Sequence, residues 1–184
     1  MAEKRDVYPI EIGGVKRDLR LFEIKPGLKI AIINILGDTE LVQTCARELA
    51  KKMDNSTYDV IVTAEAKSIP LAHALSVETG KPYIVLRKSY KIYMGEPIQA
   101  ETVSITTGKP QTLLLDEKDI LVLKGKRAAV VDDVISTGST LSGMLQIIEK
   151  AGAQVTLKAA IFTEGDDCEW SDVIALGHLP VFIE

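Results

Sequence analysis

The chain has 184 residues, of which 46% are hydrophobic and 26% are charged, and its formal net charge at pH 7 is -4. This composition excludes a disordered chain and is typical of a globular protein, which we expect to form one domain over residues 1–184. The negative net charge argues against nucleic acid as a partner, because proteins that bind it usually carry an excess of lysine and arginine.

The first predicted helix spans residues 39–52, where apolar side chains recur at helical spacing after the run Gly37-Asp38-Thr39, which offers a capping residue. A short run of β-branched residues at 58–63 then predicts a buried strand. It is followed by a helix over 69–79, with Pro70 in the first turn and Gly80 at the stop.

The same alternation continues with a strand at 83–86, a strand at 128–131 and a helix over 139–151. Strands that alternate with helices of this length predict an α/β fold with a mostly parallel sheet covered on both faces. Residues 88–118, which lie between these elements, do not follow the alternation of strands and helices and contain polar segments. Two strands are predicted there, at 102–106 and 111–115, joined by a hairpin turn at 107–110.

The cysteine content and the lengths of the hydrophobic runs indicate the cellular compartment in which we expect the protein. Cys45 and Cys168 are the two cysteines of the chain, too few for a disulfide framework. No segment approaches the ~18 to 20 consecutive apolar residues of a membrane span, and the amino terminus lacks a long apolar run. We therefore expect a cytoplasmic protein with no membrane partner.

The segment from Ala128 to Thr140 places two acidic residues at the end of a buried strand and a hydroxyl-rich loop at the start of a helix. Ligands of open α/β sheets bind at that edge. Backbone N–H groups at the start of a helix favour an anion such as a phosphate, and Asp132 and Asp133 can accept hydrogen bonds from ribose hydroxyls or hold Mg²⁺. The predicted phosphate-binding residues are Ser136, Thr137, Gly138, Ser139 and Thr140.

Either half of this segment alone is commonplace, since acidic residues often end a strand and hydroxyl residues often cap a helix. The combination is not. Four apolar residues, two acidic residues, two apolar residues and a Thr-Gly loop closely resemble the motif with which type I phosphoribosyltransferases bind 5-phosphoribosyl-1-pyrophosphate (PRPP). The resemblance covers about residues 38–162 and implies the fold of that family, with Asp132 and Asp133 as catalytic residues.

The resemblance also implies a pyrophosphate site. Residues 64–68 resemble the short loop after the first core strand of adenine phosphoribosyltransferases, with Lys67 in place of arginine and Ser68 in place of glycine. In that family the loop often contains a cis peptide bond that does not involve proline. The residues expected to hold pyrophosphate are Ala66, Lys67 and Ser68 of this loop, with Arg87, Lys88 and Lys91 of the basic segment that follows the next strand.

Further expectations come from the resemblance alone. They are Mg²⁺ as cofactor, held by Asp132 and Asp133 through water and PRPP, and a homodimer in which the basic segment reaches the neighbouring subunit's site. Residues 88–118 would form a flexible flap. Residues 1–36 and 165–184 would form a hood over the nucleobase.

The resemblance is closest to the purine salvage enzymes of the adenine and xanthine types, and it favours an adenine-like base. Ser136 stands where the hypoxanthine-guanine enzymes carry an aspartate, and Thr106 stands where adenine enzymes carry a flap glutamate. The acceptor base therefore stays open, with orotate as an alternative. A regulator that senses PRPP without catalysis is a second alternative, although the length and net charge leave little room for a DNA-binding domain.

Overall fold

The computed structural model of the protein describes residues 6–103 and 110–183. Its centre is a parallel five-stranded sheet with strand order β10-β9-β8-β4-β5. These strands are β4 (Val60–Ala64), β5 (Tyr83–Leu86), β8 (Arg127–Ile135), β9 (Gln154–Glu164) and β10 (Ile174–Leu179). Within the described ranges, no helix is long and apolar enough to cross a membrane.

Helices α1 (Thr39–Lys52) and α2 (Ile69–Thr79) begin and end at residues suited to those positions. The Asp38 side chain accepts a hydrogen bond from the backbone N–H of Leu41, which satisfies a donor that the first turn leaves free. Pro70 lies in the first turn of α2, and Gly80 ends that helix in the left-handed conformation with φ of +69°. The predicted bounds of both helices are confirmed.

Two hydrophobic clusters cover the two faces of the sheet. One joins α1 and α2 to side chains such as Ile61, Val131 and Ile161. The other joins α4 (Ser139–Lys150) to side chains on the opposite face, such as Val62 and Val130. The prediction of an α/β fold with a parallel sheet covered on both faces is confirmed.

A second, antiparallel sheet with strand order β1-β2-β3-β11 lies beside the first, and we call it the hood. It consists of β1 (Val7–Ile12), β2 (Val15–Lys25), β3 (Leu28–Ile32) and β11 (Val181–Ile183). Arg17 of β2 ties it to α1, because its guanidinium lies 2.7 Å from Asp38 and 2.8 Å from Glu40. Residues 174–179, assigned to the hood from the sequence, instead form β10, the edge strand of the central sheet, because they pair with β9.

The segment predicted as a flap contains an antiparallel hairpin of β6 (Ile98–Val103) and β7 (Pro110–Leu115), followed by α3 (Glu117–Leu123). Leu113 and Leu115 of β7 are fully buried and belong to the cluster around α4. The hairpin approaches α4 closely, since a Cβ on Gly143 would stand 2.9 Å from Leu113. Of the turn predicted at 107–110, residues 107–109 lie outside the described residues, and residue 110 begins β7. The flap stays a prediction.

Candidate active site

The acidic pair lies in a crevice made by the divergence of two strands. β8 pairs with β4 only from Ala128 to Val130, whereas its pairing with β9 continues to Ile135. Asp132 and Asp133 lie in this extension, beyond the strand end at 131 that the sequence predicts. They are 8% and 6% exposed, so both carboxyl groups are nearly removed from water.

The loop that follows β4 borders the crevice and contacts both acids. The Ser68 hydroxyl oxygen lies 2.5 Å from Oδ1 of Asp132 and 3.2 Å from Oδ1 of Asp133, and it accepts a 2.9 Å hydrogen bond from the Asp133 backbone N–H. The peptide bond between Glu65 and Ala66 in this loop is cis. The structure therefore brings the predicted pyrophosphate loop and the predicted catalytic pair into direct contact.

Lys67 supplies a positive charge at the same place. Its Nζ lies 2.7 Å from Oδ2 of Asp133 and 3.4 Å from the backbone carbonyl oxygen of Ile33, which follows the last residue of β3. The lysine thus connects the acidic pair, the loop and the edge of the hood. Because its side chain is 45% exposed, it can also reach an anionic ligand in the crevice.

Burial and the neighbouring Asp133 carboxylate raise the pKa of Asp132 to about 7, and the Ser68 hydrogen bond opposes that rise. Burial disfavours the charged form, and a second negative charge in contact disfavours it further. A buried carboxyl group whose pKa is raised toward neutral pH by a neighbouring carboxylate is a common property of functional sites.

The predicted phosphate loop lies at the carboxyl end of β8 and the amino end of α4. Residues 134–141, together with Asp132, line a small cavity of about 40 Å³. Gly138 adopts φ of +69°, and a Cβ there would stand only 2.7 Å from the ring of Trp170. The first backbone N–H groups of α4 have no acceptor within the helix and bear partial positive charge, so an anion would be favoured in this cavity.

The basic segment after β5 contacts the loop through Glu65. Nε of Arg87 lies 2.9 Å from one carboxylate oxygen of Glu65, and the backbone N–H of Lys88 donates to the other at 2.8 Å. Arg87 is thereby placed beside the predicted pyrophosphate loop. The Lys88 and Lys91 side chains are exposed, and their predicted contacts with pyrophosphate stay predictions.

Sequence reasoning missed two contributors to this site. Glu65 orders the basic segment, but a lone glutamate in a turn gave no signal for that role. Trp170 packs against Gly138, and its indole N–H donates to the carbonyl oxygen of Glu164 at 3.2 Å, which fixes the ring over the phosphate loop. Thr106, on which the adenine comparison depends, lies outside the described residues.

A larger groove of about 390 Å³ lies elsewhere, between α1 and α2. It contains none of the predicted site residues, and its walls include Val42, Pro70 and Val77. We assign the active site to the crevice rather than to this groove, because the crevice holds the paired acids, the lysine and the helix amino terminus.

Comparison with known proteins gives the same family as the motif. The family described as the phosphoribosyl transferase domain matches residues 34–172. A hypoxanthine/guanine phosphoribosyltransferase of Methanococcus voltae is 38% identical over 132 residues, which are 71% of this chain and 66% of that protein. The purine biosynthesis transcriptional repressor of Bacillus subtilis is 26% identical over 145 residues, 78% of this chain and 50% of the repressor.

Among solved structures, an adenine phosphoribosyltransferase of Thermoanaerobacter pseudethanolicus superposes with a TM-score of 0.72 at 23% identity. The superposition covers 87% of this chain and 95% of that enzyme, and it establishes the shared fold. The matched segment spans 66% of the length of the Methanococcus voltae enzyme. With the match over residues 34–172 and the motif in the crevice, the chain belongs to the phosphoribosyl transferase domain family, type I.

Proposed function

We propose that the chain transfers the 5-phosphoribosyl group of PRPP to a purine base, giving a nucleoside 5′-monophosphate and pyrophosphate. One observation carries the proposal. The acids Asp132 and Asp133 are buried between an anion-binding helix start on one side and a loop with a lysine on the other, and Ser68 and Lys67 contact the acids directly. A ligand with a phosphate at each end and a diol between them matches this order of groups.

The phosphate loop would bind the 5-phosphate through backbone N–H groups and the hydroxyls of Ser136, Thr137, Ser139 and Thr140. Gly138 would let the backbone approach the phosphate closely. Lys67, the backbone of Ala66 and Ser68, and the cations Arg87, Lys88 and Lys91 would hold the pyrophosphate. Positive charge there stabilises the negative charge that develops on the leaving group.

Asp132 and Asp133 would accept hydrogen bonds from the two ribose hydroxyls. As the bond between C1 and pyrophosphate breaks, positive charge develops on the ribose ring, and fixed carboxylates beside it stabilise that charge without reorganising. The base nitrogen attacks C1 as pyrophosphate leaves. No covalent intermediate with the protein is required.

Mg²⁺ fits this site only as a companion of the substrate. In residues 6–103 and 110–183 no group of three or more His, Cys, Asp or Glu side chains could hold a metal ion. The two adjacent carboxylates suit Mg²⁺, which usually keeps several waters and binds one or two carboxylates plus substrate phosphates. Asp132 and Asp133 would hold the ion through water and PRPP, and the ion would neutralise charge on the pyrophosphate.

The acceptor is proposed as a purine, and the sequence resemblance favours an adenine-like base. The curated relatives named above are hypoxanthine/guanine enzymes, whereas the superposed structure is an adenine enzyme. Ser136 lacks the carboxylate that hypoxanthine-guanine enzymes carry at this position, which supports adenine. The hood reaches the site at Ile33, so hood residues are the candidates for base contacts.

We also propose a cytoplasmic homodimer in which the basic segment contributes to the neighbouring site. Tyr90, Ile92 and Tyr93 follow Arg87 and are 54%, 90% and 67% exposed, which leaves an apolar surface for a second subunit. Sedimentation equilibrium of the wild type and of Ile92→Lys tests this. A wild-type monomer at micromolar concentration would contradict it.

The test of function is pyrophosphate release from PRPP with a panel of adenine, hypoxanthine, guanine, xanthine, uracil and orotate. We expect turnover with one or more purines and none with orotate.

A second candidate function is supported by the similarity to the transcriptional repressor, whose name describes control of purine biosynthesis. Binding of PRPP in a calorimeter without turnover on any base would favour such a PRPP-sensing regulator.

A further inference from the structure

Ser68 is positioned like a helix cap but does not act as one. It directly precedes α2, where a serine side chain usually accepts a hydrogen bond from the first turn of the helix. Here the side chain makes no such bond. Its hydroxyl instead reaches Asp132, which is 64 residues further along the chain. The preferred local bond has been replaced by a contact with the acidic pair.

Ser68 is 2% exposed as a whole residue, and its hydroxyl has one hydrogen to donate. The 2.5 Å contact with Oδ1 of Asp132 is shorter than the 3.2 Å contact with Asp133, so Asp132 receives the hydrogen. The oxygen of the same hydroxyl accepts from the backbone N–H of Asp133 at 2.9 Å. One side chain therefore holds both members of the pair.

This arrangement leaves the two oxygens of Asp132 in different roles. Oδ1 accepts hydrogen bonds from Ser68 and from the Asp133 backbone N–H, at 2.5 and 2.9 Å. With Oδ1 held by two hydrogen bonds from the protein, rotation of the carboxylate is restricted and the direction of Oδ2 is fixed as well. Fixing which oxygen faces the ligand is a form of preorganisation, because the carboxylate need not rotate during the reaction.

We propose that Ser68 is a positioning residue for the reaction, and that its hydroxyl orients the Asp132 carboxylate toward the ribose. The inference rests on the proposed function for its catalytic consequence, but its structural content stands on the contacts alone.

The test uses Ser68→Ala, which removes the hydroxyl, and Ser68→Cys, which keeps a side chain of similar size with a weak donor. Ser76→Ala is the matched control, because Ser76 lies on the same helix and its hydroxyl donates at 2.6 Å to the Lys81 carbonyl oxygen, away from the acids. We expect kcat to fall on the order of 10- to 100-fold in both Ser68 variants, as when an orienting partner is removed from a functional group.

The same experiment separates positioning from general damage. We expect the calorimetric Kd for PRPP to change less than about threefold in the Ser68 variants, because the phosphate contacts remain. Ser76→Ala should match the wild type in kcat. Wild-type kcat in Ser68→Ala would overturn the proposal, and so would an equal loss in Ser76→Ala.

Crystal structures of the wild type and Ser68→Ala give a result that does not depend on turnover. We expect the Asp132 carboxylate to rotate or to recruit a water in the variant. An unchanged Asp132 with nothing in place of the hydroxyl would overturn the positioning role. If the wild type turns over no base while Asp132 still moves, the proposed function fails and the positioning role stands.

Discussion

Nζ of Lys67 lies 2.7 Å from Oδ2 of Asp133, so a residue predicted to hold pyrophosphate is paired with a residue predicted to hold ribose. The pairing keeps a nearly buried carboxylate from standing alone, and a buried charge without a partner is costly. When PRPP binds, the lysine can turn to the pyrophosphate while the carboxylate accepts ribose hydroxyls. Ligand binding would thus replace the ion pair by two new contacts, one between Lys67 and the pyrophosphate and one between Asp133 and the ribose.

The lysine should therefore matter more for PRPP than for the base. We expect Lys67→Met to raise the KM for PRPP on the order of tenfold or more, because a charge-assisted contact is lost, and to leave the KM for the base within about twofold. Steady-state kinetics with both substrates varied measures this. Lys51→Met, on the exposed side of α1, is the control. A change confined to the KM of the base would show that Lys67 does not serve the pyrophosphate.

The acidic pair should matter chiefly for the chemical step. We expect the double variant Asp132→Asn and Asp133→Asn to lose on the order of 10² to 10⁴ in kcat, because the fixed negative charge beside the ribose is gone. Circular dichroism and thermal unfolding should show an intact fold, since the amides are of the same size. Near-normal turnover would remove both residues from the mechanism.

Asp132 should also give stability a distinctive pH dependence. Its pKa in the folded protein is about 7, above the ordinary value of 3.8, so the folded protein keeps a proton that the unfolded chain releases between those two pH values. Its contribution to the free energy of unfolding is then greatest below about pH 4 and falls as the pH rises toward 7.

Urea unfolding of the wild type and of Asp132→Asn from pH 4.5 to 7.5 measures that contribution. We expect the free energy of unfolding of the wild type to fall relative to the variant as the pH rises. A constant difference between the two proteins across this range would mean that Asp132 has an ordinary pKa in the folded state.

A Cβ added at Gly138 should destabilise the protein in two ways, by strain in the left-handed backbone and by collision with the Trp170 ring. The two contributions can be measured separately. Gly80 has the same φ of +69°, but a Cβ there would meet no atom within 4 Å. We expect Gly80→Ala to cost on the order of 1 kcal/mol from backbone strain. Gly138→Ala should cost about 1 to 3 kcal/mol more, the range for overpacking a well-packed site.

The double variant Gly138→Ala with Trp170→Ala completes this comparison, because it removes the ring that the new methyl group would strike. We expect the penalty of Gly138→Ala to shrink toward that of Gly80→Ala in the Trp170→Ala background. Chemical denaturation of the four proteins measures the coupling. Equal penalties for Gly138→Ala with and without the ring would contradict the close approach.

The parts of the fold that sequence predicts are those in which local pattern and burial agree. Helix α1 has a capping aspartate and apolar residues at helical spacing, and α2 has Pro70 in its first turn and Gly80 at its end. Strand β4 is a short run rich in β-branched residues and is buried on both faces. The hood strands gave no comparable signal. β2 carries charged residues, nearly all of them exposed, and β11 has only three residues, whose pairing with β3 joins segments about 150 residues apart.

The site shows the same division. The residue types at Asp132, Asp133 and Gly138 follow from a contiguous motif, so they could be named from sequence. The Ser68 contact with Asp132 could not, because a serine before a helix is ordinarily a cap and nothing local points to a partner 64 residues away. The place of Trp170 at the site could not be predicted either, since its partner Gly138 is fixed by the tertiary fold.

The early separation of β4 from β8 has a consequence for how this protein can change. Three backbone pairs, from Val60 with Ala128 to Val62 with Val130, end where the crevice begins, so main-chain pairing defines the opening. Substitutions in the loops at 65–68 and 136–140 can then alter which atoms line the opening without altering its width. The lining of the opening can therefore diverge by replacement of side chains alone, while the framework of strands stays the same.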